Sequence, residues 1–329
     1  MQDLDDRQSE PVRIGKIFGS VKMNRTQKGI LMATLTPVLW GLMSIPIRTL
    51  GTYGIGGQDL AFFRCLAAGT GLLIENLILN KQALRIDFRG LILCFFYGAF
   101  CYASSFTAYA LAVKRIPVAV AMVLMFLCPV WVSLLNRFVF KERLKIVNCV
   151  SICICLIGAV LVSNLISVRG ERLDMLGIIC ALINSLGCGL QLIIPRYFEK
   201  EYSKDAFMMY GFLGSALILA FLTHFGAVAE AVSADPAVVI SNILFLSVIL
   251  TFVANTVFVK AANYIDSTLV SIISALEVVV GSLVGLLLYH ETMSPAQTFG
   301  AVIIVIGALL PNLLPLIEKH RLSRTARTG

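Results

Sequence analysis

Two ionisable side chains stand inside long apolar stretches of this 329-residue chain. Glu277 lies in the middle of the run 267–289. Arg64 lies about two turns into the run 58–79, at ~1.5 Å per residue. A charge near a bilayer centre costs at least about 2.5–3.5 kcal/mol, so such a group usually faces a cavity or a partner. At helical spacing Glu277 shares a face with Ser271, Ser274, Gly281 and Gly285. Its carboxyl could carry a coupling proton, gate a cavity or anchor a substrate amine. It could equally stay protonated and hydrogen-bond to a neighbouring helix while Gly281 and Gly285 pack closely. Arg64 could hold a carboxylate or phosphate by a forked contact. It could also snorkel outward or pair with a carboxyl in an outer gate.

Polar residues recur near i, i+4, i+8, which places them on single helix faces. Trp40, Ser44 and Arg48 form one such stripe, and Tyr102, Ser105 and Tyr109 a second. Asn184, Gly187 and Gln191 form a third, and Ser247, Thr251 and Asn255 a fourth. A lone stripe would be ordinary interhelical bonding, worth about 0.6 kcal/mol per bond; four of them favour a shared polar cavity. The candidate substrate-binding set is therefore Trp40, Ser44, Arg64, Tyr102, Tyr109, Asn184, Gln191, Asn255, Ser274 and Glu277. Pro46 and Pro195 are candidate hinges, or static bends. No catalytic residue, metal site or cofactor is expected: His290–Glu291 lacks the second His of a metalloprotease, and Cys149, Cys153 and Cys155 have no further ligand at metal spacing. All nine cysteines lie in apolar runs and read as small packing residues.

The elements that must position these groups are membrane helices. Hydrophobic residues make up 58% of the chain and charged ones 14%, against about a quarter charged in soluble domains. Runs of about 20 apolar residues, each able to cross a core of about 30 Å as a helix, fall at 29–49, 58–79, 90–113, 117–139, 145–166, 174–195, 205–227, 237–260, 267–289 and 295–317. Residues 1–28 read as a disordered cytoplasmic tail and 318–329 as a basic one. The net charge of +8 sits in short loops, which argues for membrane orientation and against nucleic acid. With the N-terminus inside, 21 of the 27 Lys and Arg fall on inner segments and four outside, which predicts both termini in the cytoplasm.

The chain also contains itself twice. A shift of 149 residues carries Ile45–Pro46 onto Ile194–Pro195, Ala112 onto Ala261 and Leu127 onto Leu276. The same shift carries Glu142 onto Glu291 and Ile157–Gly158–Ala159 onto Ile306–Gly307–Ala308. The copies are 29–166 and 174–317. Five spans each is odd, so the copies must face opposite ways: an all-α membrane protein of ten transmembrane helices in two inverted five-helix repeats. Such repeats characterise secondary transporters that rock about a midplane site.

Particular residues sharpen this. Trp40–Gly41 with Pro46, Phe62–Phe63–Arg64, Ala110–Leu111, Pro117, Pro129 and Glu142–Arg143–Leu144 resemble the drug/metabolite transporter superfamily, EamA type. Leu276–Glu277 resembles that family's Leu-Glu-Pro, and Glu291, Gly300 and Gly307 its closing pattern. The resemblance covers Met23 to about Ile317. It implies a central cavity lined by spans 1–4 and 6–9, with spans 5 and 10 peripheral. It also implies movement of small metabolites, often amino acids outward. Two departures stand out. Val278 replaces the Pro after Glu277, which removes the usual cause of a kink in span 9. Gly187–Cys188–Gly189 stands where an aromatic is common, which would enlarge the cavity.

The expectation is an exporter of a small polar metabolite, an amino acid or a relative, in the bacterial inner membrane. The proton is a candidate coupling ion, and the protein is a monomer or homodimer in the bilayer. The alternatives are uptake or exchange of a nucleotide-like metabolite, cofactor or drug, and last a non-transporting scaffold.

Overall fold

The computed structural model describes residues 24–79, 81–116, 118–163, 174–290 and 293–328. Pro117, the loop with Arg169 and Arg172, Glu291 and the first 23 residues of the expected tail lie outside the described residues. Among the described residues every regular element is helical. The first copy holds α1 (Arg25–Gly41), α2 (Ser44–Thr52), α3 (Gly57–Leu79), α4 (Phe88–Gly98), α5 (Ser105–Arg115), α6 (Val118–Met125), α7 (Cys128–Val139) and α8 (Ile146–Val162). The second holds α9 (Met175–Tyr197), α10 (Lys204–Ala220), α11 (Phe225–Ala234), α12 (Pro236–Leu244), α13 (Ala254–Ala261), α14 (Ser267–Ser274), α15 (Leu276–Tyr289) and α16 (Pro295–Thr328).

Short polar residues start the helices because their side chains satisfy orphan backbone N–H groups. Asn24 accepts from Gln27 N in a capping box, Asp87 from Gly90 N and Asp174 from Leu176 N. Ser203, Asp235 and Asp266 do the same for α10, α12 and α14.

Six helical stretches, some taken through an irregularity, are long and apolar enough to cross a membrane: Arg25–Thr52, Gly57–Leu79, Phe88–Arg115, Met175–Tyr197, Pro236–Ala261 and Ser267–Tyr289. Val123–Val139, Ile146–Val162 and Pro295–Pro311 are shorter apolar helices. The stretch expected as one span over 205–227 differs: α10 stops at Ala220 and α11 leaves it at 92°. Thr223 and His224 lie in that corner, where Asp59 accepts from the His224 backbone N–H at 2.8 Å and holds the turn from outside. At the other end of the chain, α16 runs on to Thr328, through the stretch read as a tail.

The duplication is visible in backbone irregularities. Among the described residues, Lys141 and His290 are the non-glycine residues with positive φ, and they are 149 positions apart. A π-helical segment, Ala99–Ser104, joins α4 to α5, and another, Phe245–Val253, joins α12 to α13 over the matching positions. α6 and α7 part at Phe126–Leu127, and α14 and α15 part at the matching Ala275. Gly29 lies against Tyr264 and Ile265, and Gly177 lies against the corresponding Arg115 and Ile116. Contacts also sort the two ends of the bundle. Arg25 donates to Asn263 O, and Lys145 pairs with Asp266 near the Glu142 turn. Arg48, beyond the other end of α1, lies over the Tyr289 ring. The two matching turns thus stand at opposite ends.

α8 and α16 pack along each other. A Cβ on Gly158 would meet Ile304 Cγ1 at 2.6 Å, and one on Gly300 would meet Gly158 O at 2.7 Å. Such small-residue seams let membrane helices gain dispersion contacts. Here Cys155 Sγ lies 3.8 Å from the carbonyl of Ile304, its own repeat counterpart. A residue that touches its counterpart lies on the axis exchanging the copies. Ile146 and Ile157 on α8, like Phe299 on α16, keep large exposed apolar side chains, as a lipid-facing surface requires.

Candidate functional site

Arg64 on α3 is held from three sides. Its Nε donates to Thr251 Oγ1 at 2.9 Å, its Nη2 lies 3.6 Å from Met43 Sδ, and its guanidinium sits 4.3 Å from the Phe106 ring centroid. Each partner comes from an irregular stretch or its edge. Met43 lies in the break between α1 and α2, which falls just ahead of Pro46. There the proline ring excludes the carbonyl four residues back, and Leu42 O is taken by Ile45 N instead. Thr251 lies in the π segment, and its hydroxyl donates to Leu246 O, five residues back. That bond points the oxygen lone pairs at Arg64. π segments free such carbonyls, and proteins use them at functional sites.

Glu277 stands in the first turn of α15, just past the break at Ala275. The helix is interrupted at Ala275, two residues before Glu277, although Val278 replaces the proline. Ser271 donates to Thr268 O and Ser274 to Ser271 O, each at 2.7 Å. Such back-bonds compete with the helix ladder and bend it. Glu277 has no hydrogen bond or ion pair among the described residues; Arg64, Tyr109 and Cys128 lie within electrostatic reach of it. Both Arg64 and Glu277 keep some exposed surface although densely surrounded, as side chains lining the expected crevice would.

The remaining candidates divide. Trp40 is half-buried against Phe258, with ring centroids 4.9 Å apart, and neighbours Gly41, whose Cα abuts Val280 of α15. Ser44 donates to Gly41 O at the α1–α2 break. Tyr102 is fully buried, stacked on Phe212 at 3.8 Å and sharing a hydrogen bond with Tyr97. Asn184 bonds to the Ser105 carbonyl and hydroxyl, and Gln191 donates to Cys101 O in the π segment. Asn255 donates to Thr251 O. These last three hold helices together or cap freed carbonyls, although Asn184 Oδ1 and Gln191 Oε1 stay without a protein partner. Pro195 lies in the last turn of unbroken α9, and the carbonyl it frees, Gln191 O, accepts from Tyr97 Oη.

Gly187 and Gly189 do not widen the crevice. A Cβ on Gly187 would fall 2.8 Å from Ser105 Oγ, and one on Gly189 3.3 Å from Trp131 Cβ. The glycines are filled by neighbouring helices instead.

The candidate set left out Met43, Phe106, Cys128 and Thr251, although Thr251 stood in the fourth polar stripe. The 149-residue shift was a usable signal for two of them: Cys128 is the counterpart of Glu277, and Thr251 of Tyr102.

Ion pairs tie the copies together at the end where α1 starts: Arg196 with Glu142, Lys260 with Glu75 and Lys145 with Asp266. At the opposite end Asp59 meets His224 and Tyr53 donates to Asp235. The partly exposed Arg196–Glu142 and Lys145–Asp266 pairs contribute about 0–1 kcal/mol each, whereas the Asp59 side chain is only 6% exposed and breaking its contact costs more.

The sequence profile of the EamA-like transporter family matches residues 27–164 and 175–313. The chain is 24% identical over 257 residues to the uncharacterized transporter YxxF of Bacillus subtilis (strain 168), covering 77% of this chain and 80% of that protein. It is 22% identical over 301 residues to an uncharacterized transporter of Clostridium kluyveri, covering 86% and 93%. A solved structure titled only "Crystal structure of protein" superposes with a TM-score of 0.70 at 18% identity, over 88% of this chain and 96% of that one, and shows the same fold. A duplicated helical chain with this profile on each copy is a membrane transporter and not an enzyme: it belongs to the EamA-like transporter family.

Proposed function

We propose that the protein is a secondary transporter exporting a small zwitterionic metabolite, an amino acid or a close relative, across the bacterial inner membrane. What supports this is an anchored guanidinium, Arg64, within electrostatic reach of a carboxyl, Glu277, that has no hydrogen bond or ion pair among the described residues. A carboxylate and an ammonium on one small ligand would meet both. One cation beside one carboxyl suits a zwitterion better than a nucleotide-like ligand, whose phosphates call for several cations. The helical stretches support ten transmembrane helices in two inverted repeats with both termini cytoplasmic, which puts the Arg196–Glu142 ties on the inner side. Alternating access then opens the inner and outer ties in turn, with the α1–α2 break ahead of Pro46 absorbing bending and a proton on Glu277 as the coupling ion.

The test is exchange in proteoliposomes with a panel of radiolabelled neutral amino acids, across and without a pH gradient. Saturable exchange that disappears in Arg64→Ala supports the reading. Unchanged exchange in that variant, or transport of anions alone, overturns it. Thr251→Val is expected to weaken apparent substrate affinity about tenfold, because a hydrogen bond to a charged group contributes about 1.5–3 kcal/mol. Thr251→Ser, which keeps the hydroxyl, should stay near wild type in the same exchange assay.

A further inference from the structure

A second concentration of charge lies away from Arg64 and Glu277, at the end where α1 starts. There a cavity of about 420 Å³ opens between the copies, within the range of about 300–1,000 Å³ that small ligands occupy. Three cations, Arg25, Arg196 and Lys204, and three carboxylates, Glu142, Glu199 and Asp266, border it. Arg25 and Glu142 belong to the first copy and the other four to the second. Their contacts sort them. Lys204 bonds to Glu199 at 3.0 Å, and Asp266 is taken by Lys145 at 3.1 Å. Arg25 donates to a neutral acceptor, the carbonyl of Asn263, at 3.0 Å and has no carboxylate partner among the described residues. Arg196 donates to Glu142 and, at 3.1 Å, to Asn136 Oδ1. Asn136 in turn donates to Ser267 Oγ and Thr268 Oγ1, each at 3.0 Å. The Arg196–Glu142 pair is thus both a wall of the cavity and a tie between the copies. Its side chains are 31% and 38% exposed, so a solute in the cavity can reach them.

We propose that this cavity is a loading site for a small zwitterion, and that the ligand opens the Arg196–Glu142 tie by replacing each half of it. The ligand's carboxylate bridges Arg25 and Arg196, as guanidinium groups favour, and its ammonium takes Glu142. Arg196 and Glu142 then part with an opposite charge still beside each. A simple anion would leave Glu142 without its partner, and a simple cation would leave Arg196 without one, so the tie selects for both charges on one molecule. Exposed ion pairs are weak, so a ligand that offers two new ones can displace one. Drawing Arg196 away also loosens its bond to Asn136, through which α7 holds both α9 and α14. That the ligand arrives from the cytoplasm on its way out rests on the transport reading; that the cavity takes a zwitterion rests on its own charges.

The experiment is saturation-transfer NMR on the full chain in detergent, with L-alanine, propionate and ethylamine as probes. It is run on Arg64→Ala protein, so that the site at Arg64 and Glu277 does not contribute. Alanine should give a saturable signal there, and propionate and ethylamine should bind at least about tenfold more weakly. Adding Glu142→Gln, which keeps the shape, or Arg25→Gln should each weaken alanine binding by about the same factor. Deuterium uptake at 140–146 and 262–266 should rise at saturating alanine. Equal binding of propionate overturns the zwitterion class, and alanine binding unchanged by Glu142→Gln overturns the site. Unchanged or slower deuterium uptake overturns the opening of the tie. No alanine signal from Arg64→Ala protein, with exchange by wild type in proteoliposomes, overturns the loading site and leaves the transporter reading standing. Alanine binding to Arg64→Ala protein, with no exchange by wild type, does the reverse.

Discussion

Glu277→Gln is expected to lower transport at least about thirtyfold while leaving the folded yield unchanged. Glutamine keeps the shape and can still hydrogen-bond, so nothing that merely packs α15 is lost. What disappears is a carboxyl able to carry a charge or a proton, without a hydrogen bond or ion pair among the described residues and within electrostatic reach of Arg64. Removing one member of a buried charged contact with a ligand costs about 2–5 kcal/mol, and 1.4 kcal/mol is a factor of ten. The measurement is exchange in proteoliposomes at several pH values. If the proton on Glu277 couples transport, the variant also loses the pH dependence of wild type. A Glu277→Gln protein with wild-type rate and pH profile would remove the residue from the mechanism.

Gly98→Val should be the most damaging substitution for the fold itself. A Cβ at Gly98 would fall 2.0 Å from Gly211 O and 2.7 Å from Gly211 C. Both contacts are backbone, so no side chain can turn away. The clash lies where α4 of one copy crosses α10 of the other, with Tyr97 packed over Gly211 on the same seam. Overpacking costs about 1–3 kcal/mol, and more where nothing yields. Gly51 and Gly226 have nothing within 4 Å of an added Cβ and provide controls. Gly51→Ala and Gly226→Ala should purify as monodisperse protein with wild-type thermal unfolding. Gly98→Val should aggregate or unfold at clearly lower temperature.

Much of the fold was legible because lipid imposes a coarse rule: a run of about 20 apolar residues must satisfy its backbone as a helix. The repeat was legible because one register survives from Ile45 to Ala308. What was not legible depends on local hydrogen-bond choices. The break at Ala275 comes from two serine rotamers and not from a proline, so the loss of Pro at Val278 pointed the wrong way. The turn after Ala220 depends on contacts from a distant helix, which no apolar run records. Arg64 and Glu277 stood out in the sequence as candidates by their intrinsic cost in lipid. Gln191 and Asn255 looked like cavity residues because an amide that caps a freed carbonyl has the same spacing as one that meets a ligand. Phe106 carried no signal, because an aromatic in an apolar run reads the same whether it faces lipid or a guanidinium.

The Cys155–Ile304 contact carries a consequence for motion. If transport swaps the shapes of the two halves, every position trades surroundings with its counterpart, and a pair already touching its counterpart has nothing to trade. The α8–α16 seam can then stay fully interlocked through a whole turnover, a stationary spine beside moving walls. That would reconcile glycines packed to contact in one part of the molecule with ion pairs that must part elsewhere.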